Sequence, residues 1–144
     1  MKANAKIGTE MTPFPHWIEA DDSLDRAKAM MKEHEVRHLP VKDAGELVGV
    51  LSERDVERAQ LLSIGLRSGE VRVRQACSAD PFIVAFDTPL VQVLEQMAVR
   101  AIGSAVVTHH GKLAGIFTTV DACSAFARWL RESDLDGGGP GGAA

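Results

Sequence analysis

The sequence predicts an α/β (α+β) protein built from two copies of one strand-helix-strand-strand-helix unit. Three observations carry this: an internal repeat, a change of hydrophobic period inside each copy, and glycines at matching places. Sliding the chain on itself by 66 positions superimposes Ile7 on Val73, Pro15 on Pro81, Ile18 on Val84, Asp21 on Asp87 and Leu24 on Leu90. Without a gap, the match continues through Met31 on Met97, Val36 on Ile102, Val41 on Val107, Gly45 on Gly111, Gly49 on Gly115 and Asp55 on Asp121. The expected boundaries are residues 7–65 for the first copy, 66–72 for a linker, 73–132 for the second copy and 133–144 for a tail.

The elements follow in order. A short apolar segment at Trp17 and Ile18 reads as a strand. Asp22 is then placed to cap a helix with Leu24, Ala27 and Met31 on one face. In the second copy the capping position is Thr88, with Pro89 in the first helical turn, where the missing N–H costs nothing, and the face carries Leu90, Val93, Leu94 and Met97. Next come HLPVK (His38 to Lys42) and LVGVL (Leu47 to Leu51), a hairpin turning at Gly45, matched by SAVVT, Gly111 and LAGIF. Each hairpin runs into a second helix near Glu53 and near Thr119. Ser63 to Gly69 reads as a loop, and the terminal DLDGGGPGGAA has too little apolar surface to offset its ordering entropy, so it is expected to be mobile.

Composition narrows the function. An apolar share of 45% with 25% charged residues is that of a folded globular chain. A formal charge of -4 offers no broad basic field, so nucleic acid is not the expected partner; the run Arg67, Arg72, Arg74 reads as a solvated face. Cys77 and Cys123 are too few for a disulfide framework or a structural zinc site, which fits a reducing compartment. No apolar run approaches the roughly 20 residues that cross a bilayer, and the start lacks a signal-peptide core, so a cytoplasmic protein with no membrane partner is expected. The histidines do not converge on a catalytic or metal constellation: His109 and His110 sit together at a hairpin turn, and His16 and His34 lack ligand spacing. No catalysis and no catalytic cofactor is expected.

Ser52 with Asp55, and Thr118 with Asp121, lie where a strand gives way to a helix. Such a carboxylate offers acceptors for two ribose hydroxyls, while the hydroxyl and the free helix N–H groups suit phosphate. The same spacing also makes a capping box that merely starts a helix.

Taken together, MTPFP and CSADPF, VRHLPV, and LVGVLSERD with LAGIFTTVD resemble the opening, second-strand and strand-to-helix signatures of a tandem pair of cystathionine β-synthase (CBS) domains, a Bateman module. The resemblance covers residues 7 to 131. It implies two pseudo-symmetric repeats packed sheet to sheet, with clefts for an adenine nucleotide (AMP, ADP, ATP) or a related adenosyl ligand. It implies a stand-alone regulatory module that forms a homodimer and signals to an unknown effector protein; the alternative is a ligand-free pair serving as a dimerisation or docking scaffold. By resemblance, Ser52, Asp55, Thr118 and Asp121 meet ribose and phosphate. Ile18 and Val84 flank the adenine, and Pro40 and Val106 close the other side, although ordinary core packing would account for all four. Arg37, His38 and Arg54 are phosphate candidates, and Thr12, His16, Ile83, Ala105 and Thr119 complete the expected contacts. Gly103, Ser104 and Val120 stand where the first copy has Arg37, His38 and Arg54, so the two sites are expected to differ toward charged ligands. Trp129, Phe126 and Leu130 on the last helix could line an interface, or a buried face.

Overall fold

The computed structural model describes residues 4–64 and 71–137. The chain divides into two compact units, one running from Phe14 to Ile83 and the other formed by the residues up to Pro13 together with those from Val84 onward.

In the Phe14–Ile83 unit, strand β2 (Ile18–Glu19) leads into helix α2 (Leu24–His34), followed by β3 (His38–Asp43), β4 (Glu46–Ser52), α3 (Glu53–Leu62) and the short α4 (Val73–Ala76). The sheet order is β2-β3-β4, with β2 parallel to β3 and β3 antiparallel to β4. Leu24, Ala27 and Met31, at helical spacing, pack with Ile18, Leu39, Val41, Leu51, Val56 and Val73 in one cluster. Ala44 and Gly45 both have positive φ, which gives the hairpin a two-residue turn whose twist matches that of its strands.

The other unit repeats this plan. It begins with α1 (Ile7–Glu10) and β1 (Thr12–Pro13), then takes up β5 (Ile83–Ala85), α5 (Leu90–Arg100), β6 (Ser104–His109), β7 (Lys112–Thr118) and α6 (Thr119–Gly137). Its sheet has four strands, in the order β1-β7-β6-β5. The register agrees with that of the first hairpin at every equivalent position, including the irregularity between Val107 and Thr108 that answers the one between Val41 and Lys42. Ile7, Leu90, Val93, Met97, Ala105, Val107, Phe117 and Ala125 are buried.

The compact units and the duplicated sequence are out of step, because each copy's opening segment folds with the other copy. The Ile7 N–H donates to the Thr88 carbonyl at 2.8 Å, and the Val73 N–H donates to the Asp22 carbonyl at 2.8 Å. β1 pairs antiparallel to β7, Thr12 against Ile116, while Ser78, the counterpart of Thr12, bridges Val50, the counterpart of Ile116. This crossing needs a strand without a side chain beneath it. A Cβ on Gly115 would sit 2.8 Å from the Thr12 carbonyl oxygen, and one on Gly49 would meet the Ser78 carbonyl and lie 3.1 Å from the Cys77 sulfur. The matched strand glycines therefore exist for close backbone approach.

Several local expectations change. Helix α2 is capped by Ser23, whose hydroxyl accepts the Arg26 N–H, not by Asp22; Asp22 instead pairs with Arg26 at 3.6 Å. Pro89, not Thr88, is the N-cap of α5, and it makes no side-chain cap bond; the Thr88 carbonyl is engaged by Ile7. Arg74 is not part of a solvated run: its guanidinium bridges Asp21 (2.9 Å) and Asp43 (3.2 Å), fastening α4 to its unit. Helix α6 continues through Gly137, past the Asp134 where a mobile tail was expected to begin. Residues 138–144 and Arg67, with most of the expected loop, lie outside the described residues.

Candidate functional site

The two hairpins end in the same construction. In the Phe14–Ile83 unit His38 opens β3 directly opposite Ser52, the last residue of β4, and α3 starts at the next residue. The Glu53 N–H donates to the Arg37 carbonyl at 2.8 Å, which holds the helix start against the beginning of β3. Ser52 and Asp55 form a complete capping box. The Asp55 N–H donates to the Ser52 hydroxyl at 3.0 Å, and the Ser52 N–H donates to Asp55 Oδ2 at 2.8 Å. The capping reading of the spacing is thus realised, and it fixes the carboxylate at the first turn of the helix. The other oxygen, Oδ1, accepts no hydrogen bond among the described residues.

In the second unit Ser104 faces Thr118 and the Thr119 N–H donates to the Gly103 carbonyl at 3.2 Å. The Thr118 N–H donates to Asp121 Oδ2 at 2.8 Å, and the Thr118 hydroxyl donates to the same oxygen at 3.2 Å. Asp121 Oδ1 accepts the Thr12 hydroxyl at 3.2 Å, a contact between residues 109 positions apart. Thr12 is presented there by the pairing of β1 with β7. Two expected ligand residues therefore meet because of the crossed opening segment. Ser78 takes the equivalent backbone position beside Val50 in the other unit, and the sequence reading omitted it; the offset of 66 that aligns the copies maps Thr12 onto Ser78.

Electrostatics separate the two hairpin ends. Burial pushes the His38 imidazole below its ordinary value of 6.5; Arg37 adds to that push, and Asp55 and Glu53 oppose it. Arg37 and Arg54 are exposed, and neither is in an ion pair among the described residues. The second unit has Gly103, Ser104 and Val120 at these three positions, none of them charged.

The expected apolar walls are packed. Ile18, Ala105, Val106 and Pro40 are almost entirely buried and Val84 nearly so, so their side chains serve the core and only their backbone groups could address a ligand. Ile83 keeps 44% of its surface and Thr119 is exposed. His16 is exposed and stacks on His34 in the same unit, ring centroids 3.5 Å apart. His109 and His110 are exposed and stacked on each other, and no cluster of three metal-ligating side chains exists among the described residues.

Two cavities lie elsewhere in the units. One of about 210 Å³ opens between α2 and α3, lined by Lys28, Lys32, Glu53 and Glu57 among others. The other, of about 300 Å³, lies between α5 and α6 against Leu90, Leu94, Phe117, Ala122 and Phe126. Beside it Phe126, Trp129 and Leu130 are each 38–55% exposed. No helix among the described residues is long and apolar enough to cross a membrane.

Comparison with known proteins places these observations. The CBS domain family matches twice, over residues 6–62 and 73–128. A curated relative, inosine-5'-monophosphate dehydrogenase of Korarchaeum cryptofilum, is 30% identical over 105 residues, covering 72% of this chain and 21% of that protein. The chain spans less than half the length of the curated relatives it matches. Among solved structures, a Vibrio cholerae protein assigned to acetoin utilization (AcuB) is 28% identical with a TM-score of 0.79, covering 91% of this chain and 96% of its own. CBSX2, solved in complex with AMP, is 27% identical with a TM-score of 0.70 over 87% of this chain and 98% of its own.

Proposed function

Since the chain belongs to the CBS domain family as a tandem pair of its domains, we propose that it is a regulatory module that binds an adenine nucleotide or related adenosyl ligand. In this reading it catalyses nothing and needs no catalytic cofactor. It works in the cytoplasm as a homodimer and passes the ligand's presence to a separate protein. The observation that carries the reading is the pair of aspartates, each fixed by backbone hydrogen bonds at the first turn of a helix that follows a strand directly. A carboxylate held in that way meets ribose hydroxyls without further ordering cost, and the neighbouring helix N–H groups suit phosphate. That the related CBSX2 was solved with AMP supports this ligand class.

Arg37 and Arg54 serve phosphate in this account, because a guanidinium forks onto two phosphate oxygens at once. Calorimetric titration tests the assignment. AMP is expected to saturate the protein, and Arg37→Ala is expected to weaken AMP by about tenfold, as for a lost charge-assisted bond, while leaving adenosine within about twofold. Equal losses for AMP and adenosine would remove the phosphate role.

A second reading has its own observation. The exposed Phe126, Trp129 and Leu130 beside an apolar cavity suit a docking scaffold whose aspartates do nothing but cap helices. That reading requires that AMP, ADP, ATP and adenosine all fail to bind.

A further inference from the structure

The two aspartates are equivalent in sequence, yet the protein already uses very different shares of their hydrogen-bonding capacity. An ionised carboxylate has about four acceptor positions on its two oxygens. Asp55 receives the Ser52 N–H on Oδ2 and nothing else among the described residues. Asp121 receives three donors, the Thr118 N–H and hydroxyl on Oδ2 and the Thr12 hydroxyl on Oδ1. The difference has identifiable causes. The Thr118 hydroxyl turns its proton to the carboxylate, whereas the Ser52 hydroxyl only accepts, from the Asp55 N–H. Thr12 is held over Asp121 by the pairing of β1 with β7, whereas Ser78 pairs with Val50 through its backbone alone, by bonds of 3.0 and 3.2 Å.

A ribose diol brings two O–H donors, and each needs an acceptor. Asp55 takes both with its capping bond intact. Asp121 takes both only after a threonine hydroxyl lets go. Charge points the same way, since exposed Arg37 and Arg54 flank the start of α3 and their counterparts Gly103 and Val120 are uncharged. We propose that the ribose of an adenosyl ligand is taken first at Asp55, and that Thr12 holds Asp121 in reserve as a weaker receptor that opens when its hydroxyl is displaced. This rests on the reading of the aspartates as ribose receptors given above. Thr12 is then a positioning residue, acting on the ligand through Asp121.

Adenosine, which has no phosphate to engage the arginines, is the probe, with 2′-deoxyadenosine as the control for the diol. Asparagine at 55 or 121 keeps a side-chain oxygen for the capping N–H, and the far-ultraviolet circular dichroism of each variant checks its fold. The wild-type chain is expected to show one dominant binding event in calorimetry, weakened about tenfold or more by Asp55→Asn and by less than about twofold by Asp121→Asn. In the Asp55→Asn background, Thr12→Val is expected to tighten the residual binding about tenfold, the worth of one hydrogen bond to an ionised carboxylate, while Thr12→Ser leaves it unchanged. Three results overturn the order of filling but spare the ribose-receptor reading: loss of the dominant event in Asp121→Asn alone, its persistence in Asp55→Asn, or weaker residual binding with Thr12→Val. Equal affinity for 2′-deoxyadenosine overturns the role of the diol. Failure of the wild-type chain to bind either adenosine or AMP overturns both proposals.

Discussion

His38 shows how one residue carries both a stability and a site argument. It opens β3 opposite Ser52, and its burial makes the neutral imidazole the favoured form in the folded chain. The unfolded chain binds the proton at the ordinary value of 6.5, and the folded chain only at lower pH. The stability His38 confers is therefore complete above 6.5 and is lost as the pH falls through the folded-state value. His38→Gln, which cannot titrate, is expected to show a shallower fall in melting temperature than the wild type between about pH 7 and about pH 5. Parallel curves would mean that His38 is solvated equally in both states. At this scale the sequence was partly legible. Ser52 and Asp55 could be named because their spacing is local, and both the capping and the binding reading followed from it. The bond from Thr12 to Asp121 could not be derived that way, since it depends on a strand crossing between residues 109 positions apart.

Elements divide by length. Helices α2, α3 and α5, at 10 or 11 residues, and the long hairpin strands carry enough residues for their period to show, and all of them lie where the pattern put them. The four-residue α1 and α4 and the two-residue β1 hold too few residues for any period, and it is tertiary pairing that creates them. The cap of α2 shifted by one residue because Asp22 and Ser23 are adjacent capping types, and only Ser23 turns its oxygen to the Arg26 N–H. The strand glycines test the crossing. Gly115→Ala would press its methyl group on the Thr12 carbonyl and the Met11 side chain, and the backbone at Thr12 has no room to yield without losing its pairing with Ile116. A loss of about 1–3 kcal/mol is expected from such overpacking, read by denaturant unfolding. An unchanged midpoint would mean that β1 is not held against β7.

For the whole molecule, duplication is the reason so much could be read. Each assignment in one copy was checked by the other, and hairpin turns, strand registers and helix starts agree at an offset of 66. What duplication conceals is exchange. Matching copies give the same sequence signal whether each opening segment folds with its own repeat or with its neighbour, and chain order does not show that Ile7–Glu10 packs with the unit that holds Thr88, and Val73–Ala76 with the unit that holds Asp22. The copies have also diverged in Arg37, His38 and Arg54 against Gly103, Ser104 and Val120, and on the proposed reading of these positions as phosphate contacts the two sites would fill at different ligand concentrations. Ligand-dependent signalling of any kind requires that the adenosyl compound be bound at all. Native mass spectrometry of the purified chain with added AMP measures this most directly: the account predicts a saturable peak series heavier by the mass of AMP and diminished in Asp55→Asn, and a spectrum of unliganded protein at every AMP concentration would contradict it.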